Sequence, residues 1–290
     1  MLFVAVATCW GLNTVAMRVA GRTVPPLSVA TARAVVGAII LVTIARRNRA
    51  SWPKGRAEWT GLFWIALLMT GLSTAGLFLA AKNAPAGLVS IFTNTMPLFT
   101  ALLAPAMLGE RLHSRLVVGL GVGLCGTVIV AWRAIEGNVR PIGVFYGLVG
   151  ASTSALGSIM YKRHPLPRLD RVMIVGVQLA ISSIVLGLLA LPDDRSHMTF
   201  PRQFVLSFVY LSVVGLALSF VMYSELLSRA STMQTSSVAY LATLTGVGFG
   251  AVLLGERLSW SVLVGGAIAI VGVAIVQLTQ FTRPSPPKDT

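Results

Sequence analysis

Side chains able to do polar chemistry are sparse in this chain and sit one or two at a time inside apolar runs. Trp10 and Asn13 lie in the first run, Arg33 in the second, Ser73 and Phe78 in the third. Asn94 sits just before Pro97 in the fourth, Ser154 and Ser158 share one face of the sixth, and Tyr223 and Tyr240 fall in the eighth and ninth. An indole, two carboxamides, hydroxyls and one guanidinium suit reversible binding of a small polar solute rather than bond making. The sequence has no H-E-x-x-H, no G-x-S-x-G and no nucleotide-binding loop. A membrane enzyme acting on lipid head groups would need converging carboxylates, histidines or a metal site. His113, His164 and His197 show no ligand spacing, and Cys9 and Cys125 lie within apolar runs as small hydrophobes. No enzyme activity, metal, cofactor or disulfide is expected.

Each candidate has a plainer alternative. Arg33 could anchor a substrate carboxylate, or snorkel to the interface or pair with a carbonyl, because an unpaired Arg in a membrane is costly. Glu225 could carry a proton or receive an ammonium, but pairing with Arg229 one turn later is favoured. Ser and Thr hydroxyls in such runs are often interhelical glue. Trp10, Asn94 and Tyr240 have larger polar-tipped side chains that need a cavity or a partner. Pro97 and Pro105 free backbone carbonyls in the fourth run, which makes that segment the one to place against substrate. The glycine pairs Gly119/Gly123, Gly143/Gly147 and Gly246/Gly250 have the spacing that lets helices pack closely.

Composition identifies the solvent around these residues. The chain is 55% apolar and only 11% charged, with a mean hydropathy of +0.81; soluble domains carry about 25% charge. Ten apolar runs can be counted: Leu2–Ala20, Leu27–Ala45, Trp59–Ala81, Ala84–Met107, Leu116–Trp132, Ile142–Tyr161, Val172–Leu191, Phe204–Leu227, Met233–Leu254 and Trp260–Phe281. Each is near the roughly 20 residues that cross a bilayer as a helix. No basic region precedes the first run, so no cleavable signal is expected. The net charge of +14 sits in short loops without aromatic interleaving, which argues against nucleic acid as a partner. With the N-terminus inside, the inner loops hold fourteen Lys and Arg and the outer loops eight. Both termini are therefore expected in the cytoplasm.

Leu-Gly-Glu-Arg-Leu occurs at 108–112 and again at 254–258, an offset of 146 residues. Gly119 then matches Gly265, Gly126 matches Gly272, and Ile129-Val130 matches Ile275-Val276. The chain reads as a duplication, with a first five-helix repeat at 1–135, a second at 136–282 and a cytoplasmic tail at 283–290. Five runs per copy is an odd number, so the second copy must lie upside down. That plan recurs in secondary transporters, which bind substrate near mid-membrane between the halves. Glu110 and Glu256 occur in both copies and read as turn anchors or gates more readily than as proton sites.

The repeated turn after the fourth run, the Gly-rich run that follows it, Trp10-Gly11 and the Asn94–Pro97 segment together resemble the EamA-type branch of the drug/metabolite transporter superfamily. The resemblance covers the whole chain. It implies an all-helical membrane protein of ten helices in two inverted repeats, and a small-metabolite carrier of the bacterial inner membrane. Such carriers often export amino acids, aromatic amino acids among them; the alternative is a broad drug or toxic-compound exporter. The family usually has a proline in the ninth run, where this chain has Thr243. The expected partners are a small-molecule substrate and the lipid bilayer, with the protein a monomer or homodimer. The expected cavity residues are Trp10, Asn13, Arg33, Ser73, Phe78, Asn94, Ser154, Ser158, Tyr223 and Tyr240, with Pro97, Glu110 and Glu256 in structural or gating roles.

Overall fold

The computed structural model describes residues 1–278 apart from 22, 84, 85, 110–112, 132–139, 165, 167, 194, 195 and 255–259. Every described element is a helix: α1 (Leu2–Ala20), α2 (Pro26–Arg47), α3 (Arg56–Ile65), α4 (Ser73–Asn83), α5 (Ala86–Leu108), α6 (Ser114–Ala131), α7 (Pro141–Arg163), α8 (Arg171–Leu189), α9 (Arg202–Ser212), α10 (Ser219–Arg229), α11 (Thr232–Ser236), α12 (Val238–Leu254) and α13 (Trp260–Leu278). A wide π-helical segment, π1 (Ala66–Leu72), joins α3 to α4, and a second, π2 (Val213–Leu218), joins α9 to α10. Within the described residues each apolar run is helical, with a π segment in the third and eighth and a break at Ser237, between α11 and α12, in the ninth. Among the described residues, five stretches are long and apolar enough to cross a membrane: Pro26–Arg47, Arg56–Ala80, Pro141–Arg163, Arg171–Leu189 and Arg202–Arg229. Shorter apolar helices include Phe92–Leu108 and Ser114–Gly126.

Burial is reversed relative to a water-soluble bundle. Ile39, Leu102, Ile184, Leu188, Leu206 and Val209 are exposed, while Arg33, Thr70, Asn94, Ser158, Gln178, Ser182 and Ser219 are buried. Apolar side chains face outward where lipid can solvate them, and polar ones find partners between helices.

The two copies run in opposite directions. Gly37 of α2 packs on Leu179 of α8, Gly176 on Leu41 and Val42, and Gly187 on Thr31. Rising numbers on one helix meet falling numbers on the other, so α2 is antiparallel to α8, its own counterpart at the 146-residue offset. The same holds for α6 and α13. Gly119 meets Ile275 and Val276, while Gly126 meets Gly265 and Ala269. A helix antiparallel to its copy is what inversion requires. These contacts rest on glycine, since a Cβ at Gly126 or Gly272 would overlap the facing backbone.

Glycine has a different task in the repeated turn. Gly109 has φ +66° and donates its N–H to the Pro105 carbonyl, ending α5. A side chain there would meet the left-handed penalty. Glu110 and Glu256 lie outside the described residues.

Candidate functional site

One polar and aromatic group is assembled from four helical passages, two from each half. Trp10 of α1 donates its indole N–H to Ser219 Oγ of α10 at 3.2 Å and packs on Tyr223 with ring centroids 4.9 Å apart. Phe220 flanks the same indole at 6.1 Å. The Tyr223 hydroxyl lies 3.2 Å from Ser158 Oγ of α7. Ser158 places its own proton on the Ser154 carbonyl, so Tyr223 is the donor between them. Ser154 in turn donates to Met96 Sδ of α5 at 3.4 Å. Trp10 is half-buried, whereas Ser158, Ser219 and Tyr223 are buried.

Asn94 lies two residues before Met96 and is fully buried. Its Nδ2 donates to Thr243 Oγ1 of α12 at 2.8 Å. The Thr243 hydroxyl proton goes to the Ala239 carbonyl, so Thr243 can only accept from Asn94. That fixes the carboxamide with Oδ1 on the other side, and Asn94 Oδ1 has no hydrogen-bond partner. A buried acceptor left without a donor costs about 1–3 kcal/mol. A ligand carrying N–H or O–H groups can recover that cost. Thr243 stands where the resembled family places proline. The difference is thereby explained locally: it supplies the acceptor that orients Asn94.

Five expected cavity residues, Asn13, Tyr240, Ser73, Arg33 and Phe78, lie elsewhere. Asn13 donates to the Gly215 carbonyl of π2 at 2.7 Å, and its Oδ1 lies against Gly215 where a Cβ would overlap it. It fastens α1 to π2. Tyr240 points to α6 instead of towards Asn94, donating to the Leu120 carbonyl at 3.0 Å and covering Gly123. Ser73 is buried at the start of α4, with its backbone against Gly150 of α7. Arg33 is only 6% exposed, and its guanidinium lies 5.3 Å above the centre of the Phe78 ring. Its Nε has no hydrogen-bond partner, and among the described residues no carboxylate pairs with it. Phe220 packs against the apolar cluster around Phe78 and also against the one that holds Trp10 and Tyr223.

Glu225 is held outside this group. It forms ion pairs with Arg229 one turn on and with Arg171 of α8, the latter at 2.7 Å. The expected pairing is present, and Arg171 is a second partner that spacing along one helix could not disclose. Pro97 and Pro105 both lie inside α5, which continues through them as one helix. Among the described residues no three His, Cys, Asp or Glu side chains gather as metal ligands would.

Sequence reasoning missed the polar clamp on π1. Gln178 of α8 donates to Thr70 Oγ1, and Ser182 donates to the Ala66 carbonyl at 2.9 Å. Their spacing of four on an otherwise apolar helix was the available signal.

The profile of the EamA-like transporter family matches this chain in two blocks, residues 1–132 and 141–278. The chain belongs to the EamA-like transporter family. It is accordingly a membrane transporter and not an enzyme. The "Uncharacterized transporter YvbV" of Bacillus subtilis (strain 168) is 25% identical over 288 residues, 95% of this chain and 90% of that protein. The "Probable amino-acid metabolite efflux pump" of Salmonella typhimurium is 27% identical over 284 residues, 94% and 93% of the two chains. A solved crystal structure superposes with a TM-score of 0.81 over 97% of this chain and 98% of the other at 18% identity, a likeness of fold. In this EamA-like transporter the two matched blocks coincide with the two antiparallel copies, and the Trp10–Tyr223–Ser158 group lies on the seam between them.

Proposed function

We propose that this transporter exports small organic metabolites, amino acids foremost, by alternating access between its two halves. The observation that carries the reading is the position of the polar group. Trp10 and Asn94 come from one copy, and Ser158, Ser219 and Tyr223 from the other, so any rocking of the halves changes the access to it. Asn94 Oδ1 is an acceptor waiting for an amine or amide donor. Trp10, Phe220 and Tyr223 offer flat apolar faces to a side chain. Among the described residues Arg33 is a buried cation without an anion, and a substrate carboxylate would neutralise it. Together these groups match a zwitterion with an apolar side chain, in keeping with relatives named for amino-acid metabolite efflux. Glu225, the one acidic residue near the inner end of the eighth passage, is already neutralised by two arginines. Transport therefore runs down the substrate gradient without a coupled proton. Both termini face the cytoplasm, in a bacterial inner membrane.

The test is movement of a labelled amino-acid panel in proteoliposomes, with and without a pH gradient. Transport of at least one apolar amino acid, at a rate indifferent to the gradient, is expected. No movement of any amino acid removes the substrate class, and a rate that follows the gradient removes the uncoupled mechanism. Arg33→Gln should raise KM for carboxylate-bearing substrates about tenfold or more, with partial rescue by Arg33→Lys.

A further inference from the structure

The helix α2 ends on a residue that does not suit its backbone. Ala50 N–H donates to the Ala45 carbonyl at 2.9 Å and Arg49 N–H to the Arg46 carbonyl at 3.0 Å, the paired bonds of a helix closed by a left-handed residue. That residue is Arg49, with φ +55°, and among the described residues no other non-glycine has a positive φ. Glycine avoids the steric penalty that a Cβ meets there, and the chain uses glycine in the same conformation at Gly109. A strained position that keeps a long cationic side chain points to a use for that side chain.

Arg49 stands in a dense cluster of cations. Arg46, Arg47, Lys54 and Arg56 complete five between positions 46 and 56, and all five are exposed. Among the described residues none of them forms an ion pair. Glu58 follows the cluster, and one of its oxygens accepts from the Lys54 backbone N–H at 2.8 Å. Asp170 lies on the loop packed beside it, where it caps α8 through the Val172 N–H. The surface therefore carries a clear excess of positive charge.

The loop that presents these cations is preformed. Pro53 is buried, and Ala50 packs on the apolar cluster of Leu62, Leu169 and Met173. The Arg46 guanidinium lies 5.4 Å above the centre of the Trp52 ring, and Trp52 meets Trp59 edge to face at 6.2 Å. Both indoles are part-exposed, as are Phe63 and Trp64 one turn further along α3. Tryptophan at the ends of apolar helices sits at head-group level, with the ring body towards hydrocarbon and its N–H towards water. The rings thus set the depth, and the cations stand where lipid phosphates lie. On the orientation proposed above this is the cytoplasmic face, whose leaflet carries anionic lipid.

We propose that the loop 48–55 and the helix ends beside it form a docking surface for anionic phospholipid, with Arg49 as the contact for which the strained turn is kept. Bound lipid would join the end of α2 to the start of α3, the passage that carries π1.

The test uses the full chain in nanodiscs of phosphatidylcholine alone and of phosphatidylcholine mixed with phosphatidylglycerol, reading amide hydrogen exchange at residues 48–58. Both faces of a disc carry the same lipid, so the result does not depend on the orientation of the chain. Phosphatidylglycerol should slow exchange there about tenfold in the wild type, and about 0.5 M salt should remove most of that slowing. Arg49→Gly should leave a slowing of only about threefold, since one of five cations is lost. Its Tm in phosphatidylcholine discs should be no lower than that of the wild type, because glycine accepts φ +55° freely. Arg47→Gln, at the exposed end of α2, should lose a similar share of the slowing. Millimolar inorganic phosphate in phosphatidylcholine discs should change nothing. The proposal is overturned if phosphatidylglycerol has no effect, or if Arg49→Gly is slowed as much as the wild type, which would leave Arg49 a turn residue only. Equal slowing by inorganic phosphate would make the ligand a soluble anion and overturn the lipid assignment.

Discussion

The third and eighth helical passages are copies of one another, and both widen into a π segment at the same place. Ala66–Leu72 moved by 146 residues falls on 212–218, against an observed Val213–Leu218. The opposite half clamps each of them, but with different chemistry. Gln178 and Ser182 of α8 hold π1, and Asn13 of α1 holds π2. The counterparts of Gln178 and Ser182 are Ala32 and Val36, and the counterpart of Asn13 is Ile159; none of these has a side chain able to make the clamp. Duplication therefore kept the backbone device while the two clamps arose separately. The π2 clamp lies one turn from Trp10, next to the candidate site. The π1 clamp lies between α8 and the third passage, and π1 reaches the candidate group only from its other face, where Met69 packs on Gly157 beside Ser158. Backbone segments that depart from α geometry concentrate at functional sites, and only the second clamp is held by a residue one turn from Trp10.

The comparison can be broken most forcefully at π2. Gly215→Val would put a side chain where the Asn13 carboxamide lies and push α1 off the eighth passage. Overpacking of this kind costs about 1–3 kcal/mol, and transport in proteoliposomes should be lost even where folded protein is recovered. A smaller effect is expected from removing the π1 clamp. Gln178→Leu with Ser182→Ala leaves Thr70 and Ala66 without their α8 partners, which should cost about 2 kcal/mol of stability, read as a lower Tm. Transport per folded molecule should stay near wild type. If this pair instead abolishes transport at unchanged Tm, the assignment of the two π segments to different tasks is wrong. Asn13→Ala removes one clamp bond without adding bulk. It should slow transport about tenfold while lowering stability by only about 1 kcal/mol. Gly109→Ala in the repeated turn should leave transport unchanged, while the left-handed conformation costs about 1–2 kcal/mol. A modest fall in Tm with transport intact would show the turn to be structural in at least the first copy.

The same contrast explains what could be read from the sequence. Helices and their limits were legible because apolar runs end at turn residues. Leu2–Ala20 is the first helix as read, and most other ends move by only two or three residues. Inversion followed from an odd count of passages, and the antiparallel contacts of Gly119 and Gly126 bear it out. The π segments were hidden, since one extra residue in a turn leaves hydropathy unchanged. The direction of Tyr240 was hidden for a related reason. Register names its counterpart, Asn94, but which neighbour fills the space beside it is a matter of packing, and Gly123 left the room. Trp10, Tyr223 and the Ser154/Ser158 pair stand out in the sequence as polar residues in three separate apolar runs. Only the fold joins them through Ser219 and Met96 into one group.

The most direct test of alternating access is to fasten its seam. With Cys9 and Cys125 replaced, Asn13→Cys together with Gly215→Cys puts two thiols at the contact between α1 and π2. Oxidation should stop amino-acid movement in proteoliposomes, and reductant should return it to the slower rate expected without the Asn13 clamp, since the halves can rock again once the link is cut. Transport continuing at the same rate with the disulfide formed would contradict the account, because substrate would then be crossing without any motion at the seam.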